Sequence, residues 1–337
     1  MVPMARRAPI ARLAAALRPG MTVALSTHIN ADGDGCGSQT ALARLLGQVG
    51  VRAIIVNPTP WPELFRWLLG DDVEDRSAQG AAALVGVDRL IVLDISDRKR
   101  LGVLAAAVRA MPEDALVIDH HLPGEEPPGT TMLSDTAACA TAELVFDFAR
   151  ERGLHITTAI AKSLYTALVT DTGGFRFGNT SPRCLAIAAE LLTAGVDPEQ
   201  MYARIYGSVP LGRIHLLRDA LATLEVDMTH GMAWLSVHAG ALEKHGVSSE
   251  DLDGVVEHPR SIAGVRLAML FRDLGHGKVK VSFRSLAGVN VNTLARRFGG
   301  GGHARASGAL IEGSLSAVQE TVLGEARHQL ETGLLAD

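Results

Sequence analysis

The sequence predicts an α/β protein with two domains, and three observations support this prediction. In the first half, short apolar runs alternate with helical patterns, which is typical of a parallel sheet with helices on both faces. The stretch from about residue 137 to residue 220 is almost wholly helical, and strand patterns return after it. The length of 337 residues also favours two domains, because a single core rarely grows beyond about 250–300 residues.

We expect the first domain at residues 1–195, built on a doubly wound, mainly parallel sheet. A helical connector is expected at residues 196–220, followed by a smaller α+β domain at residues 221–337. In open parallel sheets, ligands bind in the crevice beyond the carboxyl ends of the strands. The sequence therefore predicts an active site that opens into the cleft between the two domains.

Each element of the first domain has its own sequence signal. An amphipathic helix that ends at Gly20 is expected first, because Arg12 and Arg18 interrupt an alanine-rich stretch that otherwise resembles a signal peptide. A second helix is expected to begin near Ser38, which can act as its N-cap, and to end at Gly50. The predicted strands are MTVALS, VRAIIVN, RLIVLDIS and ALVIDHH. The later helices are KRLGVLAAAVRAM, TAELVFDFARERG, TTAIAKSLYTALVTD and SPRCLAIAAELLTAG.

The second domain combines alternating strand patterns with two helical patterns. The predicted strands are MAWLSVHAG, VRLAMLFRD and KVKVSFRS, and the predicted helices are NVNTLARRF and SLSAVQETVLGEARHQL. A glycine run lies between the two helices. The mixture of strands and terminal helices predicts a separate α+β fold.

Charge and aromatic content limit the partners that this chain can bind. The net charge is −5, and aromatic residues make up 4% of the chain. A long nucleic-acid strand needs a broad basic surface and rings on which bases can stack. We therefore expect a small anionic ligand rather than long nucleic acid. Because the sequence nowhere holds ~18 consecutive apolar residues, no membrane partner is expected either.

The cysteines indicate a reducing compartment. The chain has three cysteines, an odd number with no CxxC spacing: Cys36, Cys139 and Cys184. This pattern favours reduced thiols in the cytoplasm over a disulfide framework or a zinc ribbon. Cys36 is interpreted as a small packing residue.

Polar clusters follow four predicted segments of the first half. They read THINADGD at 27–34, LDISD at 93–97, DHH at 119–121 and TDTGG at 170–174. Loops that leave the carboxyl ends of parallel strands share one crevice, so we expect these side chains to converge. Crowded carboxylates repel one another unless cations neutralise them, so the pattern predicts a centre for two divalent cations. The predicted ligands are His28, Asp32, Asp34, Asp94, His120 and Asp171.

The type of ligand indicates which metal is bound, although each aspartate taken alone could have a purely structural role. Imidazole together with carboxylate suits Mn²⁺ better than Mg²⁺, Co²⁺ or Fe²⁺, and zinc is not favoured where no cysteine is required. A lone aspartate after a strand often only caps a helix. Asp97 and Asp119 are expected to orient an arginine or a histidine. The joint occurrence of four clusters nevertheless favours the metal centre.

These motifs resemble those of a known family. The segments HINADGDGCGS, LDISD, IDHH and VTDTGGF are similar to the motifs of the DHH phosphoesterase superfamily. The segment FRSLAGVNVNTLARRFGGGGHARASGA is similar to the DHH-associated domain of the same superfamily. Ala31 departs from the pattern, since many relatives carry proline there, and this affects the stiffness of the loop rather than a ligand.

The resemblance implies phosphoester hydrolysis with two Mn²⁺ ions and a role for each residue. The ligands implied for one ion are His28, Asp32 and Asp94. The ligands implied for the other ion are Asp34, Asp94, His120 and Asp171. Asp94 would then be catalytic as the bridge between the ions. His121 would be catalytic through contact with the phosphate or the leaving oxygen instead of a metal.

The glycine run Gly299–Gly302 is predicted to bind an anion. Such a run has free backbone N–H groups and no side chains that would block a close approach. Taken alone it could be a flexible linker, yet an apolar strand pattern follows almost at once. The residues expected to bind substrate are Arg284, Gly300, Gly301, Gly302, His303 and Ser307.

The resemblance is closest to the compact bacterial nano-RNase type, which degrades very short oligoribonucleotides and dephosphorylates 3′-phosphoadenosine 5′-phosphate (pAp). Hydrolases of cyclic di-AMP or linear pApA share the same two domains and are the alternative. A non-catalytic nucleotide sensor is a further alternative, which a missing ligand would favour, and no ligand is missing. The expected partner is a short oligonucleotide or a small nucleotide, and the sequence leaves open whether the chain forms a homodimer.

Overall fold

The structure, a computed structural model, describes residues 1–207, 209–286 and 288–335. The chain forms two compact units, Met1–Ser208 and Val209–Asp337. The division falls inside the segment 196–220 that the sequence assigns to a connector, so one helix of that segment belongs to each unit. Ala287, which belongs to the motif that contains the glycine run, lies outside the described residues.

Unit 1 is built on one sheet whose strands are all parallel, in the order β3-β2-β1-β4-β5-β6. The strands are β1 Thr22–Ser26, β2 Arg52–Ile55, β3 Glu74–Asp75, β4 Arg89–Leu93, β5 Leu116–Asp119 and β6 Thr131–Ser134. The strand order reverses between β1 and β4, which makes their carboxyl ends the switch point of a doubly wound fold. The predicted parallel sheet is confirmed, and the short edge strands β3 and β6 were absent from the prediction.

Helices cover both faces of this sheet. They are α1 Met4–Ala15, α2 Gly33–Gln48, α3 Ala105–Arg109, α4 Thr141–Glu151, α5 Thr158–Asp171, α6 Pro182–Thr193 and α7 Pro198–Ile205. Segments of 3₁₀ helix occupy 63–68, 77–84 and 98–104. The predicted helix at 99–111 is therefore divided between 3₁₀ helix up to Leu104 and α3 from Ala105, and the backbone of its first part breaks at Gly102, where φ is +50°.

Helix α2 begins earlier than predicted, at Gly33. The N-cap is Asp32 and not Ser38, and the Asp32 carboxylate accepts hydrogen bonds from two backbone amides of the first turn at 3.0 Å. The glycines of this segment lie inside the helix because it packs very closely on α5. A Cβ atom at Gly33 would lie 2.3 Å from the Thr170 hydroxyl oxygen. Close packing on α5 therefore explains the glycines at positions 33 and 37.

The continuous apolar runs of β1 and β4 are explained by burial on both faces. Successive side chains of a strand point to opposite faces of the sheet. Val23 and Ile91 accordingly join the core that contains residues of α1, α2, α4 and α5. Ala24 and Leu90 join the opposite core, under the 3₁₀ segments and α3.

Unit 2 contains a mixed sheet in the order β11-β12-β10-β9-β8-β7, in which only the β8–β9 pairing is parallel among the described strands. The strands are β7 Glu225–Asp227, β8 Met232–Val237, β9 Leu267–Asp273, β10 Lys278–Ser285, β11 Gly301–Gly302 and β12 Ala306–Glu312. The helices are α8 Leu211–Leu221, α9 Ala241–His245, α10 Glu257–Arg260, α11 Val291–Arg297 and α12 Leu315–Glu331. Phe271 and Phe283 pack against the face that carries α11 and α12, whereas Leu235 and Leu270 pack with α8 on the other face.

Two further features bear on the sequence analysis. Cys36, Cys139 and Cys184 are all buried thiols, and Cys36 packs in the core of unit 1 as predicted. In the ranges that the structure describes, none of the helices combines the length and the apolar character needed to cross a membrane.

Candidate metal centre

The predicted ligands lie beyond the carboxyl ends of adjacent strands in unit 1. His28 follows β1, Asp94 follows β4 and His120 follows β5 directly. Asp171 is the last residue of α5, the helix on which α2 packs. Because β1, β4 and β5 are neighbours in the sheet, their loops meet at the switch point.

The structure brings all six predicted ligands and His121 together. Three sets of ligand atoms each lie within 4.8 Å of one another. The sets are His28, Asp32 and Asp94; Asp34, His120 and Asp171; and Asp94, His120 and His121. Asp94 and His120 each belong to two sets, so the sets form one continuous cluster.

The first set is organised around the imidazole of His28. Its Nε2 atom lies 3.4 Å from a carboxylate oxygen of Asp32 and 3.4 Å from one of Asp94. Nδ1 lies 2.9 Å from the carbonyl oxygen of Ile29, which can only accept a hydrogen bond and therefore fixes Nδ1 as the donor. Nε2 is buried and has no hydrogen-bond partner within the described chain. Its lone pair is thus available to a cation between the carboxylates.

The second set is organised around His120 in the same way. Nε2 lies 3.7 Å from Asp34, 3.6 Å from Asp94 and 3.7 Å from Asp171, and it too is buried without a hydrogen bond among the described residues. Nδ1 lies 3.2 Å from the carbonyl oxygen of Ala138. Metal bonds of about 2.0–2.2 Å hold neighbouring ligands roughly 3.0–3.4 Å apart. The observed separations are too long for hydrogen bonds but accommodate a metal ion with little adjustment.

The electrostatics of the cluster favour added positive charge. Burial, reinforced by repulsion from Asp94, raises the pKa of Asp34 well above its usual value. Burial also raises the pKa of Asp171 to about 7. Burial opposes a charge on His28, yet the carboxylates of Asp32 and Asp94 raise its pKa to about 10. Divalent cations supply the positive charge that these carboxylates otherwise obtain from protons, so the residues present fit such ions.

The backbone of Asp94 is held in a left-handed conformation, with φ of +62°. Few residues other than glycine adopt this conformation, although aspartate and asparagine tolerate it better than most. The amide of Asp94 donates a hydrogen bond to the carbonyl of Ile118 on the neighbouring strand at 2.9 Å. This conformation directs the buried Asp94 carboxylate into the cluster, where it contacts both imidazole sets.

Thr141 and Asn179 hold the carboxylates in place, and sequence reasoning missed both residues. At the N-terminus of α4, the Thr141 amide donates to Asp34 at 2.7 Å and its hydroxyl donates to Asp94 at 3.1 Å. The Asn179 side chain donates to Asp171 at 3.2 Å. The N-terminus of a helix favours anions, so α4 stabilises the charged form of these ligands.

The remaining two aspartates of the motifs have different surroundings. An oxygen of Asp119 lies 2.8 Å from Nδ1 of His121, where it can orient the imidazole. Although burial opposes the charge, the contact with Asp119 raises the pKa of His121. Asp97 instead accepts a hydrogen bond from the Lys99 amide at 2.9 Å and caps a 3₁₀ turn. This contact shows a capping role for Asp97, and its expected role in orienting an arginine or a histidine stays a prediction.

A buried charge network supports α4 from the side of α1. Arg6 is 4% exposed and donates to Asp135 at 2.7 Å, to Glu143 at 2.6 Å and to Asp147 at 2.7 Å. Arg183 pairs with the same two α4 carboxylates, Glu143 and Asp147. The sequence signal for this network is the spacing of Glu143 and Asp147, four residues apart on one face of an otherwise apolar helix. The sequence did not single out Arg6, because it lies in an N-terminal segment with other basic residues.

In unit 2, the predicted substrate-binding residues gather at one end of the sheet. Arg284 on β10 lies opposite Ala306 on β12, and the exposed His303 closes the turn that leads into β12. The Arg284 guanidinium lies 3.7 Å from Glu257. Burial lowers the pKa of Arg284, and the carboxylates of Glu257 and Asp253 offset only part of that effect, so the guanidinium keeps capacity for an anion.

The glycine run is hydrogen-bonded to regular secondary structure and is not a free anion-binding loop. The amides of Gly299 and Gly300 bond to carbonyls at the end of α11, so they are already occupied. Gly301 and Gly302 form β11 and pair with β12, and a Cβ atom at Gly302 would lie 2.6 Å from the Ala306 carbonyl oxygen. Ser307 is buried and its hydroxyl donates to the His303 carbonyl at 2.7 Å. The Ser307 hydroxyl thus stabilises the turn, and its substrate contact stays a prediction.

Comparison with known proteins agrees with this architecture. Residues 22–168 match the DHH family, N-terminal domain, and residues 233–331 match the DHHA1 domain. The chain is 33% identical to the bifunctional oligoribonuclease and PAP phosphatase NrnA of Thermus thermophilus, over 91% of this chain and 89% of the relative. It is 29% identical to the protein of the same name from Bacillus subtilis, over 86% of this chain and 89% of the relative.

A solved structure extends the agreement to the whole fold. The crystal structure of an exopolyphosphatase-related protein from Bacteroides fragilis aligns with a TM-score of 0.88 at 26% identity, and it covers 96% of this chain and 98% of its own. The match over residues 22–168 contains the cluster residues of the first half except Asp171, and the match over residues 233–331 contains the glycine run. The chain therefore belongs to the DHH family, with a DHHA1 domain in its second half.

Proposed function

We propose that this chain is a phosphoesterase that hydrolyses very short oligoribonucleotides to mononucleotides and dephosphorylates pAp to AMP. The observation that carries the proposal is the set of overlapping ligand groups that share Asp94 and His120. The choice of substrate is supported by the relatives, which are named as oligoribonuclease and PAP phosphatase. The alignment with the Thermus thermophilus relative covers 91% of this chain, so the proposal concerns both units.

The proposal includes two divalent cations, and it assigns them as Mn²⁺ because the ligands are imidazole and carboxylate. The proposed ligands of one ion are His28, Asp32 and Asp94. The proposed ligands of the other are Asp34, Asp94, His120 and Asp171. When bound, such ions neutralise charge on a phosphate group and lower the pKa of a water molecule.

His121 is proposed to act on the substrate rather than on a metal. Its Nδ1 atom is held by Asp119 at 2.8 Å, which fixes the orientation of the ring. The raised pKa of His121 suits it to donate a proton to the oxygen that leaves phosphorus. Unit 2 is proposed to bind the remainder of the nucleotide through Arg284 and His303.

The proposal is tested with a substrate panel at saturating Mn²⁺. The panel contains pAp, linear pApA, cyclic di-AMP and RNA and DNA oligomers of increasing length, and kcat/KM is measured for each. The proposal expects pAp and RNA dimers or trimers to have the highest kcat/KM, with activity falling as oligomers lengthen. If kcat/KM is highest for cyclic di-AMP, that compound becomes the assigned substrate. If it is highest for long single strands, the proposal is contradicted.

The two adjacent histidines are expected to respond differently to substitution. His120→Ala should lower the metal content of the purified protein, because His120 Nε2 lies among three carboxylates. His121→Ala should keep its metal content and lose about 10²–10⁴-fold in kcat, which is typical for loss of a general acid. Elemental analysis and kinetics of the two variants decide between these roles. A reversed result would exchange the assignments.

Unit 2 is expected to govern binding and not chemistry. A hydrogen bond to a charged group contributes ~1.5–3 kcal/mol, so Arg284→Ala and His303→Ala should each lower kcat/KM on pAp by roughly ten- to hundredfold. Metal content should stay unchanged. Hydrolysis of the generic diester bis-p-nitrophenyl phosphate is the control, and it should change by less than about threefold. Equal losses on both substrates would show that these residues act on the chemical step.

A further inference from the structure

Strand β10 presents a polar face that the core of unit 2 does not cover. Its side chains alternate, with Val279, Val281 and Phe283 buried in the core that includes α11 and α12. Lys280 points to the opposite face and is exposed, and Ser282 and Arg284 are half-buried on that same face. Along one strand, four residues span about 13 Å. Lys280 is therefore well separated from Arg284, the residue proposed to bind substrate.

Two cations lie side by side at the distant end of this face. Lys280 is directly opposite Arg272 in the antiparallel pairing of β9 and β10. Like charges in such a pair repel each other, since the Cβ atoms are only about 4.5–5.5 Å apart. Throughout the described ranges, neither side chain has a hydrogen bond or an ion pair. By contrast, the neighbouring Lys278 lies opposite Glu312, a residue of opposite charge.

The same two residues line a pocket of unit 2. The pocket is small, with a cavity volume of about 70 Å³. Its polar lining residues are Ser249, Asp253, Arg272, Lys280, Ser282 and Arg284. The pocket thus joins the Arg272 and Lys280 pair to Arg284 along one continuous surface.

The charge balance of the pocket favours an anionic ligand. Burial lowers the pKa of Arg272, and the nearby Glu243 offsets only part of that effect. Among the residues that line the pocket, Asp253 supplies a carboxylate against the three cations Arg272, Lys280 and Arg284. An oxygen-rich dianion would replace the lost hydration of Arg272 and offset its repulsion with Lys280.

We infer that Arg272 and Lys280 form a subsite for an additional phosphate of an oligonucleotide, one beyond the phosphate held near Arg284. This inference rests on the proposed function, because it assigns an extra phosphate of the same substrate. The backbones of Lys280 and Arg284 stand about 13 Å apart along β10, so the cation pair is assigned to a different phosphate from the one near Arg284. A substrate with only two phosphates, such as pAp, leaves the subsite empty, whereas a 5′-phosphorylated trinucleotide reaches it.

The test compares two substrates in the double variant Arg272→Gln/Lys280→Gln. KM for pApApA should rise about tenfold or more, since two charged contacts are lost. KM for pAp should stay within twofold of the wild-type value. The dependence of log kcat/KM on log salt concentration, measured with pApApA, should become shallower by about 0.7 for each cation removed. The matched control is Lys278→Gln, which removes a positive charge from the same strand and should leave KM for both substrates unchanged.

Three other outcomes would contradict the inference, and the measurements distinguish them. If KM for pApApA is unchanged, the cation pair does not bind substrate, and the proposed function stands. If both KM values rise equally in a variant with wild-type Tm, the pair acts through Arg284 and is not a separate subsite. If the wild-type protein hydrolyses neither substrate, the proposed function fails together with the inference. A tenfold rise confined to pApApA, with the shallower salt dependence, supports the subsite.

Discussion

Asp94→Asn is expected to lower kcat on pAp by more than about a hundredfold and to reduce the bound metal. Substituting a residue that merely orients a metal ligand already costs about 10–100-fold, and Asp94 contacts both imidazole sets directly. Asparagine keeps the size of the side chain and tolerates the left-handed backbone at φ +62°. The fall in kcat and in bound metal is therefore caused by the missing charge and carboxylate oxygen, and not by backbone strain. Asp94→Ala should lose at least as much.

The matched control for this variant is Asp97→Asn in the same loop. Asp97 caps a 3₁₀ turn through the Lys99 amide, so its loss should cost about 1 kcal/mol of stability or less. Its kcat should remain within about threefold of the wild-type value. The measurements are kcat at saturating Mn²⁺ and metal per chain by elemental analysis. If Asp94→Asn keeps more than about a tenth of wild-type kcat, the bridging role of Asp94 is wrong.

Arg6→Met should lower the free energy of unfolding of unit 1 by about 3–5 kcal/mol, which is typical when one partner of a buried ion pair is removed. The variant leaves Glu143 and Asp147, which are 1% and 0% exposed, with Arg183 as their remaining cationic partner in the network. Because both carboxylates belong to α4, the helix that positions Asp34 and Asp94 through Thr141, metal affinity should fall as well.

Hydrogen exchange at the amides of α4 measures this loss locally, and a metal titration measures the effect on the site. Arg7→Met is the matched control, because Arg7 is half-exposed and its contact with Glu151 is 3.5 Å, so about 1 kcal/mol or less is expected. Arg6→Met/Asp147→Asn should recover part of the stability by removing one uncompensated charge. Equal effects of Arg6→Met and Arg7→Met would show that the network does not stabilise α4.

The composition of the candidate site could be predicted because it depends on local patterns. A polar residue placed directly after a buried apolar strand must lie at the carboxyl edge of a parallel sheet. His28, Asp94 and His120 satisfy this rule, and their strands are adjacent, so their convergence follows from sequence order and strand order together. The apolar runs themselves were long enough to identify the strands without any tertiary information.

The start of α2 could not be predicted because the helix does not depend on local propensity there. Three glycines in the segment GDGCG disfavour a helix by roughly 1 kcal/mol each relative to alanine. The helix forms because α5 packs so closely that side chains at Gly33 would collide with Thr170. The same contact makes Asp32 the N-cap, which turns one carboxylate oxygen to the backbone and leaves the other for His28.

What the sequence by itself determined is therefore the chemistry of the chain: which side chains can hold cations, which strands carry them and which family they resemble. Tertiary structure alone decided which charges are compensated. Arg6 reaches carboxylates more than a hundred positions away, whereas Arg272 and Lys280 have no hydrogen bond or ion pair among the described residues. The physical reason is that compensation depends on distances of a few ångströms between residues far apart in the chain, and only packing sets those distances.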